Sequence, residues 1–320
     1  MPTAQEARDA IRKLNRNAEL VVHRSGQPLP GEDYFVQKLG SPDGGTNGLK
    51  IVDLQIKCSI ERDLSRHPNR CKIEIINLSE KTRHAMETTP LFIDFSAGHA
   101  GINKLLMSGD VLFAMSKHDG VDWTTMLQVG DGARAHAEAR VALTLKRGTT
   151  VKTALREVAK KLGQKLPSNI EASSDLNVQF ACSTVIHGSA SHELTRMLAP
   201  YGLDWSVQNG RLQILKYAES RNDVQLISEA NGMINTPQYG QPSKTGKVPP
   251  MTIQNLLYPE LTPGGLVEVR SKSTNGLFKL IKVRHNLDTH GDPWFTEVEV
   301  KPATGAPSSA LQGKSAGVSR

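Results

Sequence analysis

The chain has no apolar run approaching the ~20 residues needed to cross a bilayer as a helix. Its mean hydropathy of −0.36 is that of a protein in water. The opening residues, MPTAQEARDAIRKLNRN, lack the apolar centre of a secretory signal. Cysteine is scarce: Cys58, Cys71 and Cys182 form no C-x-x-C pair, and an odd number suits a reducing compartment. These absences predict a protein made and kept in a cytoplasm, with no membrane span. Aromatic residues make up only 5% of the sequence, too few for a platform on which single-stranded nucleic acid could stack. A net charge of +7 and a pI near 9.3 would suit an anionic polymer. The Lys and Arg residues are scattered, however, which favours a solvated basic surface over nucleic-acid binding.

Motifs of catalysis are missing as well. The sequence contains no G-x-S-x-G elbow, no phosphate-cradling loop, no dinucleotide fingerprint and no H-E-x-x-H. No catalytic, cofactor-binding or metal-ligating residue is therefore nominated, and no cofactor is expected. The nearest metal-like spacings, His187 with His192 and His285 with His290, lack a third ligand and straddle turns or caps, so structural roles are expected. Asp119, Asp122 and Asp131 lie close in sequence, but Asp beside Gly is ordinary turn chemistry. GTTVKTALREVAKKLG loosely resembles the opening of peptidoglycan-binding LysM repeats; a capped amphipathic helix explains the same residues. Trp123, Trp205 and Trp294 stand on the apolar parity of strands and are expected in the core, as are Cys58 and Cys71.

What is present is period. Thr3 and Glu6 form a capping box before a short amphipathic helix, and the Gly- and Pro-rich stretch Arg24 to Gly48 reads as loops. Strands follow at DLQIKCSIE, CKIEI and LFIDFSAG, with a short helix after Ser79. Val111 to Lys117 and Trp123 to Val129 flank HDGVD as a hairpin, and RVALTLK adds a strand. At Thr149-Thr150 the period turns helical through Leu162 and ends at Gly163. A second helix runs from Ala190 to Ala199, and a hairpin turns at Asn209-Gly210. VQLIS, GLVEVRS, LFKLIKVRH and WFTEVEVK supply a second set of strands. A long loop over 235–250 lies among them.

One succession is distinctive. IKCSIERDLSRHPNRCKIEIINLSEKTR resembles the first strand pair of phage tail baseplate hub proteins, where a second strand runs into an I-x-N-L-S corner and a short helix. The resemblance continues in order through LFIDFSAG, MSGDVLFAMSKHDGVDWTTMLQVGDG, the helix after Gly148, GLVEVRS and VRHNLDTHGDPWFTEVEVKP, covering most of residues 50 to 302. The N-terminal helix, the Arg24 to Gly48 stretch and the polar C-terminal tail depart from it.

That resemblance implies an α+β, mainly β fold: two tail-tube-like antiparallel β barrels with a mixed α/β domain between them. The expected division is an N-terminal helix and loop-rich arm over 1–48, a first tube-like β domain over 49–146, a mixed α/β domain over 147–218, a second tube-like domain over 219–302, and a flexible tail over 303–320. It further implies a non-enzymatic homotrimer joining a six-fold tail tube to a three-fold central spike. The partners would be the tube or tube-initiator protein, the spike and other baseplate proteins, in a virion assembled in the host cytoplasm. The competing readings are a tail-associated peptidoglycan-binding protein or hydrolase and a basic nucleic-acid-binding protein.

Overall fold

The computed structural model describes residues 16–25, 36–37, 49–88, 91–99, 102–216, 224–240 and 249–303. The capping-box helix and the tail beyond residue 303 lie outside the described residues. The described chain is mainly β. Its first region contains β1 (Arg16–Ser25), β2 (Val36–Gln37), β3 (Leu49–Ile51), β4 (Ile56–Asp63), β5 (Arg70–Ile76), β6 (Leu91–His99), β7 (Ile102–Asp119) and β8 (Asp122–Gly130). Alternation builds these strands: Ile56, Cys58 and Ile60 are buried while Lys57, Ser59 and Glu61 face water. Their inward faces share one core that includes Leu20, Ile73, Phe95 and Leu127.

The turn from β5 into the helix Glu80–Thr88 is made by Asn77, whose φ of 58° is left-handed, a conformation that Asn tolerates better than most residues. Its amide donates to Asp122 at 2.8 Å, and its Oδ1 accepts from the Trp123 backbone at 3.0 Å. Leu78 is buried, and Ser79 Oγ accepts from the Thr82 backbone as a cap. The Asn-Leu-Ser corner is a clamp between the end of β5 and the start of β8.

The middle region has its own core. β9 (Arg140–Leu145) pairs with β10 (Thr184–Ser189), and β11 (Leu203–Gln208) with β12 (Arg211–Lys216). The helix Val151–Lys161 is capped by Thr150, whose side chain accepts from Thr153, and buries Ala154, Leu155, Val158 and Ala159. The helix Ala190–Leu198 buries Leu194 and Leu198 in the same cluster. RVALTLK thus pairs into this unit and not with the strands before it, because β8 already has β5 and β7 on its two flanks.

The last region contains β13 (Val224–Ser228), β14 (Gln238–Tyr239), β15 (Met251–Leu256), β16 (Leu266–Arg270), β17 (Asn275–Asp288) and β18 (Trp294–Pro302). Taken in chain order, β13 to β18 are six strands; β1, β4, β5, β6, β7 and β8 are six more. Across the sheet both sets follow one order: first, fourth, fifth, sixth, third, second. The sets differ in one pairing, since β1 runs antiparallel to β6 while β13 runs parallel to β16.

The expectation of two separate barrels is corrected here. Among the described residues the ladders close no ring, and both sets belong to one 14-stranded sheet. The join is β17 against β4, from Lys282 opposite Asp63 to Asp288 opposite Lys57. The cause is length. β17 has 14 residues, β16 covers only Asn275 to Lys279, and the remaining edge of β17 takes β4 as its neighbour. Within the stretch expected as loops, Val36–Gln37 adds to β1, and Leu49–Ile51, just beyond that stretch, does so as well.

Candidate assembly surface

The two long strands carry the same irregularity. The register of β7 against β8 shifts between Val111 and Phe113, and that of β17 against β18 between Leu280 and Lys282. Leu112 and Ile281 are therefore the extra residues of two bulges. Counted from the bulges, Ser116 corresponds to His285, Thr125 to Thr296 and Trp123 to Trp294. The side chains agree: Ser116 Oγ lies 3.1 Å from Thr125 Oγ1, and His285 Nδ1 lies 2.9 Å from Thr296 Oγ1, with both threonines fully buried.

Beyond its bulge, β7 turns an apolar face outward. Phe113 stands opposite the exposed Gln128 and Ala114 opposite the buried Leu127. Without the extra residue those two would exchange faces, and Phe113 would enter the core. Among the described residues, 13 large hydrophobic side chains are exposed and seven of them fall between Ile102 and Trp123. The concentration is therefore local. Leu112 is 59% exposed and Val121, at the hairpin tip, 92%. The Lys72–Glu74 ion pair, 2.7 Å long, borders the patch on β5. Trp123, expected in the core, is 37% exposed, and its ring is stacked by the Arg83 guanidinium at 4.0 Å. Trp294 and Trp205 are buried as expected.

A second feature is a sealed polar joint. The tip of the β11–β12 hairpin, with Asn209 and Gly210 both at positive φ, is held by Asp131, whose carboxylate accepts from the Asn209 amide at 2.6 Å and the Gly210 amide at 2.8 Å. Asn69 donates to the Val207 carbonyl, and Gln208 donates to the Asp63 carbonyl, each at 2.8 Å. Arg62 is fully buried nearby, and none of its guanidinium nitrogens has a hydrogen-bond partner. Burial draws its pKa down to about 10, with the charge of Asp131 acting in the opposite sense. Burial raises Asp131, against the pull of the Gly210 amide and Arg62. Burial, then the Arg62 charge, holds His285 well below its ordinary value. Cys58 and Cys71 lie with sulfurs 3.6 Å apart in the same interior, where burial pushes the Cys58 thiol up. Such a joint fixes the middle unit on the sheet, and its ionisable side chains Arg62, Asp131 and His285 are buried.

The histidine pairs do not converge. His187 and His192 are both exposed on different elements, and His285 is sealed while His290 is exposed. Among the described residues no group of three or more His, Cys, Asp or Glu is placed to hold a metal. Asp119 and Asp122 flank the hairpin turn, whereas Asp131 is the buried anchor described above. Sequence reading missed Arg62 and Asn69. Arg62 left a signal, since it continues the inward parity of Ile56, Cys58 and Ile60. A cleft of about 400 Å³ separates β11–β12 from β17–β18, lined by Trp205, Leu215, Lys216, Lys279, Ile281 and Lys301.

The chain has a fold found in phage tail proteins. It is similar to the 43 kDa tail protein of prophage MuSo2 from Shewanella oneidensis, with a TM-score of 0.57 at 10% identity over 89% of this chain and 97% of that one. It is similar to a tail protein from Neisseria meningitidis MC58, with a TM-score of 0.55 at 14% identity over 89% and 96%. An Escherichia coli component of the type VI secretion system, described as structurally similar to the T4 bacteriophage tail proteins gp27 and gp5, aligns with a TM-score of 0.52 at 9% identity over 79% and 74%. No family profile matches the sequence, and no curated protein does.

Proposed function

We propose that the chain is the structural hub of a phage-type tail baseplate, a homotrimer that joins a six-fold tail tube to a three-fold central spike and carries no catalytic activity. One observation carries this reading: the strand order is repeated within a chain that has the fold of tail proteins. Three copies with two like units each present six similar surfaces on one side while keeping three-fold symmetry, which is what such a junction requires. The partners are then the tube or tube-initiator protein, the spike and other baseplate proteins, and the place of action is the virion tail, assembled in the host cytoplasm. A glycoside hydrolase ordinarily uses paired carboxylates open to its polymer. The buried carboxylates with raised pKa, Asp110 and Asp131, lie in the interior.

The test is assembly. The purified chain is mixed with tube and spike proteins from the same tail cluster and viewed by negative stain. A complex with the hub between tube rings and spike is expected, with no reducing sugar released from peptidoglycan. Turnover abolished by one Asp or Glu substitution would overturn the reading.

A further inference from the structure

We infer that the distal half of β7 in one copy docks on the edge of β14 in the next, repeating between chains the contact that β17 makes with β4 within each chain. The inference deepens the trimeric reading and rests on it. β17 is the fifth strand of its set and β4 the second strand of the other set. By the same count β7 is the fifth strand of the first set and β14 the second strand of the second. Inside the chain one fifth-to-second contact is made. Among the described residues the other pair has no strand between or upon it: β6 accompanies β7 only as far as Asp110, and β14 is the terminal strand of the sheet, bonded to β15 alone.

The side chains fit that vacancy. Trp294, at the start of the hairpin's return strand, is 4% exposed because the first set covers it, with Arg16 at 5.5 Å and His99 at 6.1 Å from its ring. Its counterpart Trp123 has Arg83 at 4.0 Å and His118 at 5.0 Å from its ring, both from its own set, and stays 37% exposed. Because β13 runs parallel to β16 where β1 runs antiparallel to β6, no residue of β13 takes the place of Arg16: Arg16 pairs with the last residue of β6, whereas Ser228 pairs with the last residue of β16. Among the exposed large hydrophobics of the second set, Tyr239 stands on β14 itself. A hairpin face of one chain against the β14 edge of the next makes a head-to-tail contact, the kind that closes into rings. Leu112, Phe113, Met115, Val121 and Trp123, from 37% to 92% exposed, offer apolar area towards the ~800 Å² that each partner contributes to a stable interface. The hydrogen bond from the Ser116 amide to Glu87 on the open edge of β7 is exchanged for ladder bonds to the incoming strand.

The internal contact also fixes the register. Ile60 faces His285 and Ser59 faces Asn286. Carrying these pairs through the β5–β8 and β15–β18 ladders places Ser116 opposite Tyr239, and Lys117 opposite Gln238, of the neighbouring copy.

Lys117→Cys and Gln238→Cys, both at exposed positions, are made in separate full-length chains that also carry Cys182→Ser, given different tags, co-expressed and mildly oxidised. A disulfide between the two kinds of chain is expected. Light scattering of the unaltered protein is expected near 105 kDa, three times 34.9 kDa, and Phe113→Glu with Met115→Glu should reduce it to one chain with an unchanged circular dichroism spectrum. A persistent trimer that forms no cross-link and survives the double substitution would overturn the docking and leave the trimer standing. A parent protein that is monomeric at every concentration would overturn both.

Discussion

Trp123 and Trp294 occupy the same place in two copies of one design, yet the first lies open under Arg83 and the second is sealed between Arg16 and His99. Local sequence does not explain the difference, since each Trp follows a Gly- and Asp-containing turn and heads a strand with Thr two residues on. What differs is the neighbour. The second set has the first set of its own chain beside it, and the first set has nothing equivalent among the described residues. Burial of a hairpin face here belongs to the arrangement of units and not to the hairpin. A β edge with an apolar flank is an invitation to pair, and the chain answers it once internally.

If the join between β4 and β17 makes the two sets one cooperative body, matched core deletions should behave alike. Phe95→Ala in the first set and Phe278→Ala in the second, both buried, should each cost about 3–5 kcal/mol. Both should lower a single calorimetric transition. Two resolved transitions, only one of which moves, would show independent units.

Asp131→Ala sharpens a different contrast, that between the sheet and the middle unit. It leaves the Asn209 and Gly210 amides without their acceptor and should cost about 2–4 kcal/mol. Amide exchange should accelerate first along β11 and β12. Uniform acceleration across the whole chain would show that the joint does not fix one unit on the other.

A smaller effect separates His285 from its counterpart Ser116. Burial keeps His285 neutral in the folded state, while the unfolded chain takes up a proton below about pH 6.5. Its contribution is thus present above that pH and is lost as pH falls, by at most about 1.4 kcal/mol per pH unit. His99 and His136, lowered mainly by burial, act in the same sense. His285→Ser, which copies the first set, should flatten the fall of Tm between pH 6.5 and 5, and an unchanged slope would assign the acid sensitivity elsewhere. Smallest of all is the outer face of the join, where Arg284 meets Glu61, Glu297 and Glu299. The group is partly exposed, so Arg284→Ala should cost under about 1 kcal/mol by urea titration at moderate salt.

Period-two alternation placed most strands from the sequence, because a strand with one wet face writes its register into the chain: Ile56, Cys58 and Ile60 inward, Lys57, Ser59 and Glu61 outward. Thr150, Gly163 and Asn209-Gly210 marked their cap and turns through backbone preferences that act within a few residues. The repeat of a Trp-led strand after a Gly- and Asp-containing turn was equally legible. Tertiary structure alone decided the rest. A bulge adds one residue without changing composition, so the outward turn of Phe113 and Met115 could not be read from VLFAMSK. β9 chose β10 as its partner because β8 was already flanked on both sides. Arg62 and Asp131 share a sealed interior only because the hairpin tip at Asn209 folds back on the end of β8. The join of β17 to β4 depends on which edge remains free after the shorter strands have paired. Edge availability is a property of the assembled sheet, and no window of sequence contains it.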